Sequence, residues 1–237
     1  MRVGFLRSLV ACAFIVLGAS NAAAGLLIAS GDATPMFSAG TPDNSVFFSN
    51  VLGSGSSVVV HEAPNSVGGT ALSDYYDGLA GVSSTYVFSG EITGALLSGV
   101  NLFVSSLYGG SLSASEVSVL SAFLNGGGTV MLMGEYTAPF TSINAALASL
   151  GSAMQLFGAG DEPSGTYQAI VLSDPLTAGV SKFFYGYGYG VSGGTPLFRE
   201  QSTERVFMAY ENIPEPATLS LMGLALAGLA AARRRRC

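Results

Sequence analysis

SASEVSVLSAFLNGGGTVMLMGE, residues 113–135, holds a helix start, a helix stop and an apolar strand in direct succession. Ser113 and Glu116 stand three apart at its start. That is the spacing of a capping box, in which each side chain satisfies a free backbone amide of the first helical turn. Val117, Leu120, Phe123 and Leu124 then fall on one helical face. Gly126, Gly127 and Gly128 permit a left-handed stop. Residues 129–133, TVMLM, have no polar alternation, so they predict a strand buried on both faces, ending at Gly134 and Glu135. A capped helix followed by a doubly buried strand is the repeating unit of an α/β sheet.

Working outward, the same alternation recurs. Strands are predicted at residues 26–30, 58–60, 86–88 and 102–107, and later at 168–172, 182–185 and 206–210. Thr41, Pro42 and Asp43 open a helix, with threonine as cap and proline in the first turn. Val46, Phe47 and Val51 lie near one face of it, and Gly53 ends it. A second short helix carries Ile143, Ala146, Leu147 and Leu150 and stops at Gly151. The pattern predicts an α/β domain over residues 25–212, with a mostly parallel sheet and helices on both faces. An all-β adhesin would suit the 32 glycines, but the capped helix at Ser113 speaks against it.

The ends have a different composition. Residues 1–24 read as a signal peptide: Arg2 and Arg7, an apolar core at 9–17, and small residues Ala22, Ala23 and Ala24 before the cut. Cys12 lies inside that core, so the partial lipoprotein box around it reads as chance. At the other end come Pro214, Glu215 and Pro216, then an uncharged apolar run at 217–232, then Arg233, Arg234, Arg235 and Arg236. The prolines break preceding structure. The run would make about 24 Å of helix, short of a hydrocarbon core of about 30 Å, which suits a temporary transmembrane anchor. The arginine cluster fixes this end on the cytoplasmic side and leaves the body exported.

Only 10% of residues are charged. The net charge of −6 hides an acidic body: three basic and fourteen acidic residues between 25 and 212, a net −11. Such a surface repels phosphates, so nucleic acid is excluded as a partner. The two cysteines, Cys12 and Cys237, both fall in the terminal segments, which leaves the body without disulfide or thiol chemistry.

Proline-glutamate-proline, an apolar helix and an arginine cluster, in that order at residues 213–237, resemble the PEP-CTERM sorting signal of Gram-negative bacteria. The resemblance implies recognition by an exosortase, a membrane cysteine protease cutting near Pro214. It also implies passage through the Sec machinery and signal peptidase, a transient inner-membrane stage, and delivery to the cell surface or matrix, with exopolysaccharide as a candidate partner. The body, from residue 102 to 150 and again at 174–180 (DPLTAGV), resembles the class I glutamine amidotransferase-like fold, which implies a flavodoxin-like, mostly parallel sheet. That family's activity needs a cysteine nucleophile and a histidine. The body has no cysteine, so the activity does not carry over.

Candidate chemistry is sparse. Glu135 follows a strand at the edge where open sheets bind ligands, and could act as an acid, a metal ligand or a helix cap. His61, the one histidine, could be a base or a hydrogen-bonded structural group. Asp32, Asp161 and Glu162 could hold calcium, though no loop spacing specifies it; no metal or other cofactor is expected. Gly190-Val-Ser-Gly-Gly fits a nucleophile elbow, and residues 188–193 fit a dinucleotide fingerprint, but both need a helix to follow. Tyr185, Tyr187 and Tyr189 alternate with glycines. Period two puts them on one strand face, either exposed for stacking on sugars or a partner protein, or packed on the sheet. The expectation is a non-enzymatic, exosortase-sorted surface or matrix protein whose body binds or scaffolds. The alternative is a hydrolase or carbohydrate-active enzyme using Glu135, His61 or Asp32.

Overall fold

The computed structural model describes residues 24–64, 68–107, 110–135, 140–158, 167–186 and 188–214. The signal segment, the apolar run at 217–232, Glu215, Pro216, Arg233 to Arg236, Asp161, Glu162 and Tyr187 lie outside the described residues. Among the described residues, no helix is long and apolar enough to cross a membrane.

Among the described residues there are twelve strands: β1 Gly25–Ser30, β2 Ser57–Glu62, β3 Ser83–Phe88, β4 Leu102–Ser106, β5 Thr129–Met133, β6 Gln155–Phe157, β7 Tyr167–Gln168, β8 Ile170–Val171, β9 Phe184–Tyr185, β10 Gly190–Ser192, β11 Thr195–Arg199 and β12 Val206–Ile213. The helices are α1 Thr34–Phe37, α2 Pro42–Leu52, α3 Gly69–Asp77, α4 Ala114–Asn125 and α5 Thr141–Ser149, with a 3-10 turn at Pro175–Thr177. Eight strands make one sheet in the order β3-β2-β4-β5-β1-β12-β11-β8. The first five run parallel. The last three are antiparallel to their neighbours.

The mixed α/β sheet with helices on both faces is as expected; its order is not. In a flavodoxin-like sheet the first strand lies between the second and third. Here β1 sits between β5 and the antiparallel β12, pairing Gly25 with Ile213 and Ser30 with Met208. An apolar run such as VFMAY, residues 206–210, reads alike for either strand direction, so direction was set by tertiary pairing.

Period-two alternation divides the core. Ile28, Val58, Val60, Leu102, Val104, Met131 and Met133 face α1, α2 and α3. Leu27, Ala29, Val59, Phe103, Val130 and Leu132 face α4 and α5. The first layer is completed by aromatic rings: Phe183 stacks on Phe198 at 4.0 Å between centroids, and Phe47 meets Phe198 edge-on at 5.0 Å. The second layer depends on α4. Its capping box forms, with the Glu116 amide donating to Ser113 Oγ at 3.3 Å and the Ser113 amide to Glu116 Oε2 at 2.8 Å. Burial opposes the Glu116 carboxylate, but the Ser113 amide and hydroxyl and the Ile92 amide outweigh it, and its pKa falls below the ordinary value. Leu120 and Leu124 are buried beneath it.

Two helix starts differ from expectation. Thr41 precedes α2 but does not cap it; its hydroxyl donates to Ser38 O at 2.7 Å. Helix α3 had no sequence signal. It starts after Gly68 at φ 100°, with no side-chain cap, and is held by Leu72 and Tyr76 in the core.

Candidate functional site

The carboxyl ends of the five parallel strands converge on one edge. Ligands bind open α/β sheets there, where neighbouring strands send their connections to opposite faces. Two such crevices exist. After β1 the chain turns to the α1–α3 face, and after the adjacent β5 to the α4–α5 face. The same divergence separates β2 from β4.

The first crevice is flanked by Asp32 and Glu135 and is closed by the chain itself. Asp32 is fully buried. The Thr34 amide donates to its Oδ1 at 2.8 Å and the Gly186 amide to its Oδ2 at 2.6 Å. The Tyr189 amide donates to Gly31 O at 2.9 Å. Residues 184–186 and 188–190 therefore run directly over the end of β1 as a strap, and glycine is what lets them. A Cβ at Gly186 would meet Thr34 Oγ1 at 2.4 Å, and one at Gly188 would meet Gly31 O at 2.5 Å. Arg205 completes the closure, pairing with the buried Glu200 at 2.6 Å and donating to Gly188 O at 3.4 Å. Desolvation raises the Asp32 pKa from 3.8 to about 6; hydrogen bonds from Thr34 and Gly186 pull it back in part, and Glu200 adds repulsion.

Tyr185 and Tyr189 are packed inward. Tyr185 stacks on Phe207 at 4.5 Å in the α1–α3 layer, and Tyr189 meets Phe140 at 5.1 Å in the α4–α5 layer. The two described rings thus lie on opposite sides of the sheet, and neither offers an exposed stacking face. The strap crosses between layers, so strand alternation does not hold through it.

The second crevice, between β2 and β4, holds His61, Glu62, Ser105 and Ser106. His61 and Ser105 point to the α4–α5 face. His61 Nε2 lies 2.9 Å from Gly90 O, and Nδ1 lies 2.9 Å from Ser105 Oγ. A carbonyl only accepts, so Nε2 carries the hydrogen and Nδ1 accepts from the Ser105 hydroxyl. Glu62 and Ser106 are register partners on the other face. Glu62 is 3% exposed, and its Oε2 accepts from Tyr86 OH at 2.6 Å. Burial and the Glu62 carboxylate push the Tyr86 phenol up to about 12. Ser106 Oγ is buried with no hydrogen-bond partner. The sequence reading passed over Ser105, Ser106 and Glu62. The available signal was that VVVHE and LFVSS both end an apolar run on a polar pair.

Of the earlier candidates, Asp32 and Glu135 follow adjacent strands, while His61 is two strands from β5. The glycine motifs lack their helix: Gly190–Ser192 is a strand, Gly193 and Gly194 turn at φ 79° and 68°, and β11 follows. Among the described residues, no group of three His, Cys, Asp or Glu side chains is placed to hold a metal. Grooves occur elsewhere, one of about 410 Å³ at the amino edge by Asn101 and Gly127, another of about 680 Å³ by Gln168, Asp174 and Gln201.

The comparisons with known proteins bear on the chain's end. The PEP-CTERM protein-sorting motif is matched over residues 212–236. The chain is therefore an exported exosortase substrate with a membrane-anchored precursor. No curated protein matches the sequence. Among solved structures, the mmIFT52 N-terminal domain aligns at 18% identity with a TM-score of 0.41, over 50% of this chain and 64% of its own length. Nothing in these comparisons supports the amidotransferase-like resemblance of the body.

Proposed function

We propose that the protein is an exosortase-sorted surface or matrix protein whose α/β body binds or scaffolds and performs no catalysis. Export and sorting rest on the motif at 212–236. For the body, one observation carries the reading: two of the three groups suspected of catalysis, His61 and Asp32, are held in structural roles. Both His61 nitrogens and both Asp32 carboxylate oxygens are engaged, and Asp32 is buried beneath residues 184–186 and 188–190. A general base needs a free lone pair within reach of substrate.

The experiment is the mass of the C-terminal peptide of the mature protein, in hosts with and without active exosortase. A protease-dependent new end near Pro214 is expected. An intact tail through Arg236 in both hosts would refute sorting. For the body, broad hydrolase substrates and a fluorophosphonate probe are expected to give neither turnover nor labelling; either result would return the reading to an enzyme.

A further inference from the structure

The eight-stranded sheet ends differently at its two edges. One edge is β8, two residues long. The other is β3, six residues paired on one side only, with β2. Open edges are commonly blunted by short strands, lysine, proline or a bulge, because their unpaired backbone groups will take another strand. The sequence of β3, SSTYVF, has no lysine or proline, and its register with β2 is unbroken. The Ser83 and Ser89 amides donate to Ser56 O and Glu62 O, so by alternation those of Ser84, Tyr86 and Phe88 point outward. Asp77 Oδ1 accepts from the Ser84 amide at 2.6 Å. Among the described residues, no strand lies beside the amides of Tyr86 and Phe88. The side chains here are apolar too. Tyr86 is 36% exposed and Phe88 59%, both on the α3 face, and Phe37 is 49% exposed. Phe37 and Tyr86 flank the start of α3: a Cβ at Gly68 would meet the Phe37 ring at 3.1 Å, and one at Gly69 the Tyr86 ring at 2.8 Å. The three rings together expose about 300 Å². From Gly78 to Gly90 no residue is charged, in a body of net −11.

We propose that β3 is a self-association edge, which pairs antiparallel with β3 of a second copy about a two-fold axis at Val87 and joins the two sheets into one. The free backbone groups select both the partner and the register. A two-fold axis makes the strand its own partner, so every donor must meet an acceptor of the same strand. With the axis at Val87, Tyr86 of each copy stands opposite Phe88 of the other, and each pair exchanges both backbone hydrogen bonds. With the axis at Thr85 or Tyr86, Ser84 would have to donate, and Asp77 already holds its amide. The same register sets Tyr86 against Phe88 twice on the α3 face, as aromatic cross-strand pairs. Charge agrees. Copies of an acidic body repel one another, and the uncharged run from Gly78 to Gly90 is a stretch on which they can approach. The rings bring about 600 Å² for the pair, against about 1,600 Å² in a stable interface. With the strand backbone added, that is the area of a reversible dimer, with a dissociation constant in the micromolar range. The pairing holds whether or not the body has a ligand of its own.

The test is sedimentation equilibrium of the processed protein from about 1 to 200 μM, where a monomer–dimer equilibrium is expected. Phe88→Lys puts a charge on the edge at an exposed position that the fold does not need, and is expected to raise the dissociation constant about tenfold or more. Phe157→Lys, at an exposed ring of β6, is expected to leave it unchanged and so separates this edge from general aromatic stickiness. The register has its own test. Residues 25–212 contain no cysteine. Opposed residues that do not share hydrogen bonds have Cα atoms about 4.5 Å apart in antiparallel strands, within reach of a disulfide. Val87→Cys is therefore expected to give a disulfide-linked dimer with oxidised glutathione, whereas Thr85→Cys, about 13 Å from its counterpart, is not. A monomer at every concentration, an equal effect of Phe157→Lys, or failure of Val87→Cys to cross-link would overturn the proposal. The first of these would leave the edge to an extended strand of a different protein.

Discussion

Asp32 makes the body more stable in mild acid than at neutrality. Its pKa is 3.8 in the ordinary case and about 6 in the fold, chiefly because burial disfavours the charged form. Between those values the folded protein keeps a proton that the unfolded chain has released. This contribution is fully present below about pH 4 and is lost as pH rises through about 6. Over that interval, at about 1.4 kcal/mol per pH unit, the loss is about 3 kcal/mol. Other carboxylates titrate in the same range, so the informative quantity is a difference. Asp32→Asn puts an uncharged amide at this position at every pH. It gives up one of the two amide bonds, a cost that does not vary with pH, because the new Nδ2 cannot accept from the Gly186 or Thr34 amide. Urea unfolding of the processed wild type and Asp32→Asn at pH 4, 5, 6 and 7 would give the two curves. The variant's stability relative to wild type should rise by about 2.4 kcal/mol from pH 4 to pH 7. A difference that stays flat, or falls with pH, would refute the argument that burial dominates at this carboxylate.

Two further substitutions probe the strap. Gly188→Ala drives a Cβ into the Gly31 backbone, which cannot swing aside, and should cost about 1–3 kcal/mol or more, whereas Gly94→Ala, with open space around it, should stay within about 0.5 kcal/mol of wild type; chemical denaturation of the pair checks this. Arg205→Met leaves the 1%-exposed Glu200 without its cation and should cost about 3–5 kcal/mol, most of it recovered when Glu200→Gln is added; a double-mutant cycle reads the coupling.

How much of this could be read in advance depended on range. The capping box at Ser113 and Glu116, the glycine stop and the doubly buried strand at 129–133 are local, and they formed as read. Five parallel strands followed from continuous apolar runs. The position of β1 beside β12 did not, because that pairing joins residues almost 190 apart in the chain. Helix α3 opens on Gly68 and Gly69 with no capping side chain, so no start signal marked it, although Leu72 and Tyr76, four apart, both pack into the core. The tyrosine–glycine repeat was legible as alternation but not as a strap, since the glycines answer to Thr34, Gly31 and Arg205, all remote in sequence. Glu62, Ser106 and Phe88 come from three strands, and only the register sets them side by side.

The pairing of Gly25 with Ile213 also fixes how the body hangs. The chain enters β1 and leaves β12 side by side, at the amino pole of the parallel strands. The carboxyl ends of β2 and β4, with His61, Glu62, Ser105 and Ser106, lie at the opposite pole, about 17 Å further along strands of five or six residues. A cut near Pro214 would therefore act at the pole farthest from that crevice, and β12, which ends at Ile213, would keep its pairing with β1.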